Sequence, residues 1–340
     1  MTDQSHTSFE TVWAKLLALP PSTTSRLRVQ ELNRETPWGK VTLAVGADGS
    51  RHVLVPILST TKVRTGLDGP GLSLRKRVLE DDSSHTTFAD LSCQRPELAY
   101  LFDDFCADVL SELEGLDKQP LKAVYQVVDR WRSLFDQPVG ILSNQTASGI
   151  YGELLVLIRL LEVDASAHRL WTGPLGTPHD FVGNHLDIEV KTTTEPTGRN
   201  VQVHGLDQLE EPPNGALLLA WYRLKDTTEA RAGETLLTLT DQAVALADDE
   251  AAVRGLLAHA GYVPGAVESN DARRYAVLDE RWYRVDIQFP RLTRDQLNTA
   301  GVPETVLDAT YTVDLTAEPP APLTPATVSQ KLVAELGGGS

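Results

Sequence analysis

Two acids and an amine stand close together in the run Thr177-Pro-His-Asp-Phe-Val-Gly-Asn-His-Leu-Asp-Ile-Glu-Val-Lys-Thr192. Asp180 follows a proline by two positions. Glu189 and Lys191 sit two apart in a stretch where apolar and polar residues alternate. On a β-strand, side chains two apart share a face. Leu186, Ile188 and Val190 therefore point one way, and Asp187, Glu189 and Lys191 the other. Two carboxylates can hold a hard divalent cation, and an ammonium beside them can orient an attacking water. That set is suited to phosphodiester hydrolysis, which needs charge stabilisation on the phosphate and a deprotonated water. Asp180 and Glu189 are the candidate metal ligands and Lys191 the nucleophile-positioning group.

The elements that must hold these groups read as helix, strand, strand. A helix over Ser148–Val163 carries the apolar stripe Ile150, Leu154, Leu157, Ile158 and Leu161, with Glu153 on its border. Glu153 is thus a fourth candidate, able to approach the site from the side. Strands are expected around His179–Val182, Leu186–Thr192, Asn200–His204 and Ala216–Tyr222, with a tight turn at Gly183-Asn184 joining the first two. This order predicts an α/β core with a mixed sheet. Leu237–Ala260 reads as helical, Arg274–Ile287 and Thr310–Leu315 as strands, and the proline-rich Glu318–Pro325 as a loop.

Upstream the pattern differs. A short amphipathic helix over residues 9–19 ends at Pro20-Pro21. Val41–Val45 and His52–Val55 then flank a hairpin turn at Gly46–Gly49, and Leu72–Leu79 and Thr86–Leu91 read as further strands. From Pro96 helical spacing returns, in Leu98, Leu101, Phe102, Phe105, Val109 and Leu113, and again in Leu121, Val124, Val128, Trp131 and Phe135. The expected division is a β-rich module over 1–95, a helical connector over 96–140 and the α/β domain over 141–335.

Composition bounds the reading. The chain has 340 residues, 41% hydrophobic and 23% charged, with a net charge of −16. Nucleic-acid binders usually carry a basic footprint, so this charge argues against strong intrinsic DNA affinity. The segment Arg51–Arg77 is the exception, with six basic residues and one acidic. Within it Arg75, Lys76 and Arg77 are candidate substrate contacts. Cys93 and Cys106 form no CxxC pair, which fits reduced, buried thiols and a cytoplasmic protein. The polar start Met1-Thr-Asp-Gln-Ser-His lacks a signal core, and no run is apolar enough to span a membrane. No GxSxG, HExxH, GxxxxGK[ST] or GxGxxG occurs, which leaves serine hydrolysis, zinc catalysis and nucleotide hydrolysis without their usual supports.

The order Glu153, Pro178-His-Asp180, Glu189-Val-Lys191 resembles the PD-(D/E)xK nuclease superfamily. The resemblance is closer to a bacterial family described as PD-(D/E)xK motif proteins, found beside anti-phage defence genes. It is carried by Trp131-Arg-Ser-Leu134, Gly149-Ile-Tyr-Gly-Glu-Leu154, Trp171-Thr-Gly-Pro174, His179-Asp-Phe181, Ile188-Glu-Val-Lys-Thr192 and Asp207-Gln-Leu209. Blocks at Arg274–Pro290 and Thr310–Leu315 extend it over most of the chain. One departure is that the motif reads Pro-His-Asp rather than Pro-Asp, which bears on turn geometry and not on the ligands.

The resemblance implies a restriction-endonuclease-like core, with a helix, a β-meander and a covering helix. It also implies a Mg²⁺ site, with Mn²⁺ as substitute, cutting DNA inside a multi-protein defence system. Gln208 would touch bound DNA or the site's edge. His179 would point away from Asp180, Asp187 would lie behind the ligands, and Trp131 and Trp171 would be core residues. A homodimer presenting two sites is a further expectation. The alternative is a catalytically silent DNA-binding or scaffold subunit.

Overall fold

The computed structural model describes residues 2–20, 27–64, 67, 69, 71–80, 85–116, 118–136, 140–213, 215–303, 305–306 and 308–337. The chain forms two compact units, Met1–Val139 with Val263–Val267, and Gly140–Tyr262 with Glu268–Ser340.

In the first unit, helix α1 (Thr2–Ala18) precedes five antiparallel strands: β1 (Arg28–Thr36), β2 (Gly39–Val45), β3 (Arg51–Pro56), β4 (Leu72–Glu80) and β5 (His85–Cys93). Their order in the sheet is β1-β2-β3-β5-β4. The β2–β3 turn closes through Gly46 N–H donating to Ser50 O at 2.9 Å, and Gly49 takes φ +86°, where glycine avoids the Cβ penalty. Alternation does not mark strand β1, because seven of its nine residues are polar and none before Thr36 is fully buried. Helices α2 (Ala99–Leu116) and α3 (Pro120–Asp136) pack on this sheet and on each other. Phe102, Phe105, Phe135 and Trp131 supply their shared core, with Phe105–Phe135 and Phe105–Trp131 edge to face. The stretch expected as a connector is therefore part of the first unit. Both cysteines are buried thiols that form no disulfide among the described residues.

The second unit opens with α4 (Asn144–Leu161), capped by Ser143, whose hydroxyl accepts from Thr146 N–H at 3.0 Å. Strand β6 (Leu186–Thr193) packs Leu186, Ile188 and Val190 against the apolar stripe of α4. Two strands follow, β7 (Asn200–His204) and then β8 (Ala216–Asp226), which pairs parallel with β6. The expected meander is interrupted here. Strand β7 leaves the main sheet and pairs with a later strand, so β6 and β8 become neighbours of the same direction. The sequence Ala216-Leu-Leu-Leu-Ala-Trp-Tyr222 is apolar at every position because β8 is buried on both faces.

Beyond β8 come β9 (Glu234–Thr235), α5 (Leu236–Leu246), α6 (Glu250–His259), α7 (Glu268–Asp271), β10 (Arg274–Val285), α8 (Arg294–Thr299), β11 (Thr310–Asp314) and α9 (Pro325–Gly337). The main sheet is mixed, ordered β6-β8-β10-β9, and β7 and β11 form a separate antiparallel ribbon. The ribbon buries Val201, Val203 and Val313 against Leu217, Leu219 and Trp221 of β8. One helical stretch over Leu237–Ala260 was expected. It is broken at Ala247, where Asp249 starts α6 by accepting Ala252 N–H at 3.0 Å. Helix α9 had no counterpart in the sequence reading, and its Glu335 accepts the backbone N–H groups of Asn184 and His185. Among the described residues, no helix is long and apolar enough to cross a membrane.

Candidate active site

Strand β6 forms one edge of the main sheet, and its outer side organises the site. The segment His179–Val182 is not the regular strand expected. Only Phe181 pairs, with Trp171 on one side and Ile188 on the other. Its neighbours instead make turns, consistent with Pro178 having no N–H to donate. Through this single bridge, Asp180 lies against β6, and its Oδ2 accepts the Val190 N–H at 2.7 Å. The Asp180 carbonyl accepts from Thr172 and Gly173 N–H groups, both at 2.9 Å. A Cβ on Gly173 would meet Asp180 Oδ1 at 2.7 Å, so only glycine lets the chain approach the carboxylate this closely.

Glu189 projects from β6 on the face opposite Leu186, Ile188 and Val190, in register with Leu219. It is 1% exposed. Its Oε1 pairs with Lys191 Nζ at 2.7 Å, while among the described residues Oε2 has no hydrogen-bond partner. Lys191 Nζ also donates to Gln208 Oε1 at 2.9 Å, and that oxygen accepts His204 N–H at 2.9 Å. Gln208 therefore fixes the ammonium. The expectation for this residue was DNA or the site's edge, and its visible bond is to the lysine. Glu153 Oε2 accepts Trp171 Nε1–H at 2.7 Å. Trp171 is a core residue, as expected, and also the group that aims Glu153. That second role left no sequence signal, because the two are 18 residues apart on different elements.

The acids perturb one another. Burial lifts the Glu189 carboxyl to about 8, with the Asp180 charge adding to it and Lys191 pulling it back. Burial and then the Asp180 charge push Glu153 well above the carboxylate range, against the Trp171 hydrogen bond and Lys191. Burial also raises Asp180, opposed by the Val190 N–H, Lys191 and His179. The charges of these three acids and of Lys191 thus act on one another. Asp187 is elsewhere on the same face, buried, with Oδ2 to His179 Nδ1 at 2.8 Å and Oδ1 accepting Gly183 N–H at 3.1 Å. It fastens the turn behind the site.

Crowded carboxylates with raised pKa values and an orphaned buried oxygen are what a cation would relieve. Among the described residues, no three His, Cys, Asp or Glu side chains meet as a metal cage. Asp180 and Glu189 remain the candidate ligand pair.

Lys191 also lines an open cleft of about 680 Å³ with Gln145, Ser148, Thr192, Gln202 and His204. Beside it, α4 passes close to side chains of β6. A Cβ on Gly152 would meet Thr192 Cγ2 at 2.4 Å, so α4 can cross β6 at this depth only with glycine there. Arg75, Lys76 and Arg77 belong to the first unit, on β4. Lys76 Nζ donates to Ser59 O and Thr61 O at 2.5 and 3.0 Å, and Arg77 Nε to Asp90 Oδ2 at 2.5 Å. Both thus have internal partners, and Arg75 is exposed.

A helix packed on a mixed sheet, with Asp180 and the Glu189-x-Lys191 pair at one sheet edge, is the arrangement expected of the PD-(D/E)xK class. The chain belongs to the family described as "Putative PD-(D/E)XK family member" (DUF4420), whose model matches residues 9–316. Neither the curated proteins nor the solved structures give a significant match.

Proposed function

We propose that the protein is a Mg²⁺-dependent endonuclease hydrolysing DNA phosphodiester bonds at Asp180, Glu189 and Lys191. The observation that carries this is Glu189: 1% exposed, one oxygen on Lys191 Nζ at 2.7 Å and the other without a partner among the described residues. A buried carboxylate in that state is costly unless the missing partner is supplied. A divalent cation held there by Asp180 and Glu189 would acidify a bound water and neutralise charge on the phosphate.

The remaining work falls to this chain's own side chains. Lys191, held between Glu189 Oε1 and Gln208 Oε1, lines the cleft, where it would orient the attacking water and face the charge growing on the phosphoryl oxygens. Glu153, whose carboxyl burial and the neighbouring acids push up, is held in place by Trp171 and would hold a water at the flank of the site. The net charge of −16 supports delivery of DNA by a partner protein or a second copy of the chain. The family resemblance gives that partnership a setting, a bacterial anti-phage assembly.

The same charge favours a second reading, a silent binding or scaffold subunit. Cleavage of plasmid and phage DNA with Mg²⁺ separates the two. The wild type should nick and linearise, and Lys191→Ala and Asp180→Ala should each lower the rate at least about 100-fold. Equal nicking by all three would remove the proposal. No cutting by the wild type, with a partner co-purifying, would favour the silent subunit.

A further inference from the structure

The ribbon of β7 and β11 has two unlike faces. Along β7 the burial alternates strictly, with Val201 and Val203 buried and Asn200, Gln202 and His204 exposed. Across the ribbon Thr312 pairs with Gln202, and Val313 with Val201. The inner face, Val201, Val203 and Val313 with the half-buried Tyr311, is thus apolar and fastened to β8. The outer face presents Asn200, Gln202, His204 and Thr312, and all four line the cleft that also holds Lys191. Among the described residues, none of these four side chains makes a hydrogen bond. Their neighbours Lys191 and Gln208, by contrast, are engaged with each other. Two amides, a hydroxyl and an imidazole are left with their donors and acceptors unspent, at fixed register on a rigid support.

We propose that this ribbon is the sequence-reading element of the site, entering the major groove of duplex DNA beside the bond to be cut. The inference rests on the DNA-nuclease reading above. A two-stranded ribbon fits the major groove of B-form DNA, where each base pair displays its own pattern of donors and acceptors. Asparagine and glutamine match adenine N6 and N7 with two bonds, and the threonine methyl fits the thymine C5-methyl. A-form RNA has a major groove too narrow for such a ribbon, so the duplex is DNA. The four ribbon side chains that line the cleft are uncharged and suit base edges, while the exposed Asp314, opposite Asn200 on the same face, is acidic. Phosphate recognition would draw on arginine and lysine, and the ribbon's outer face has neither.

The test is selection from a randomised duplex DNA pool by the full-length chain. Lys191→Ala serves as the binding form, so that the pool is not consumed. It should enrich a short A·T-containing motif. Adding Asn200→Ala, Gln202→Ala and Thr312→Ala should abolish the enrichment by about 10-fold or more per read base pair, with bulk DNA retention within about twofold. Gln202→Glu should move the preference at one position towards cytosine, whose N4 donates to a carboxylate. The inference is overturned if no motif is enriched, if the triple substitution leaves the motif unchanged, or if an RNA pool is retained in preference. Wild-type cutting of bulk plasmid in Mg²⁺ is scored alongside. Cutting without a motif defeats the ribbon's role and keeps the nuclease. A motif without cutting defeats the nuclease and keeps the ribbon.

Discussion

The buried Glu189 is the residue on which the site's chemistry turns. Its carboxyl titrates at about 8, above the ordinary 4.5, so between those values the folded chain holds a proton that the unfolded chain has released. The metal-free protein is therefore most stable below about pH 4.5 as far as this group is concerned, and loses stability as pH rises towards 8, by at most about 1.4 kcal/mol per unit. Asp180 and Glu153 are shifted in the same direction. Thermal melts in EDTA should fall from pH 5 to 8, Mg²⁺ should restore the loss at pH 8, and Glu189→Gln should flatten the slope. A wild-type melting point independent of pH would contradict this. Gln208 gives a second expectation. Its loss in Gln208→Ala should lower kcat roughly 10-fold through a freely rotating Lys191, with KM little changed and Gln208→Glu restoring much of it. Asp180, Glu189 and Lys191 were legible in the sequence because strand alternation alone puts the last two on one face. The bonds of Trp171 to Glu153 and of Gln208 to Lys191 were not, since their partners lie 18 and 17 positions apart in the chain.

At the scale of elements, the crossing of α4 over β6 sets the depth of the cleft. Gly152 permits it, with Val190 Cγ1 3.2 Å and Thr192 Cγ2 2.4 Å from where a Cβ would stand. Gly152→Val should destabilise the second unit by about 1–3 kcal/mol, visible as a lower melting point, and should depress cleavage more than the melting point explains, because Thr192 is displaced next to Lys191. Full activity in a stable variant would show that the crossing does not set the site. Most elements could be read from period and caps: β2, β3, β4, β5, β6, β7, β10 and β11 all lie where alternation put them. Strand β1 was hidden because an edge strand can be mostly polar. The strand expected at His179–Val182 reduces to one bridge at Phe181. Three or four residues of alternation do not distinguish a strand from a turn that merely touches one.

For the whole molecule, what sequence periodicity could not supply was the pairing. Nothing local says that β8 runs parallel beside β6 while β7 joins β11 a hundred residues on. Those choices follow from burying both faces of β8, a property of the assembled core. Net charge, by contrast, is read directly. At −16, with a largely uncharged cleft, the protein should bind DNA weakly and with little dependence on salt. Anisotropy with duplex DNA between 50 and 200 mM salt should give a log–log slope of about −1 to −2, against about −10 for a protein making many phosphate contacts. A steep slope would place the main DNA contact on a basic surface such as that around Arg75 instead.

The central claim is that Asp180 and Glu189 share a cation beside Lys191. Crystals of the full-length protein soaked in Mn²⁺ and measured for anomalous scattering test it most directly. The account predicts one strong peak within ligating distance of Asp180 and Glu189, absent in Asp180→Ala. A peak elsewhere, or none at a Mn²⁺ concentration that supports cleavage, would contradict it.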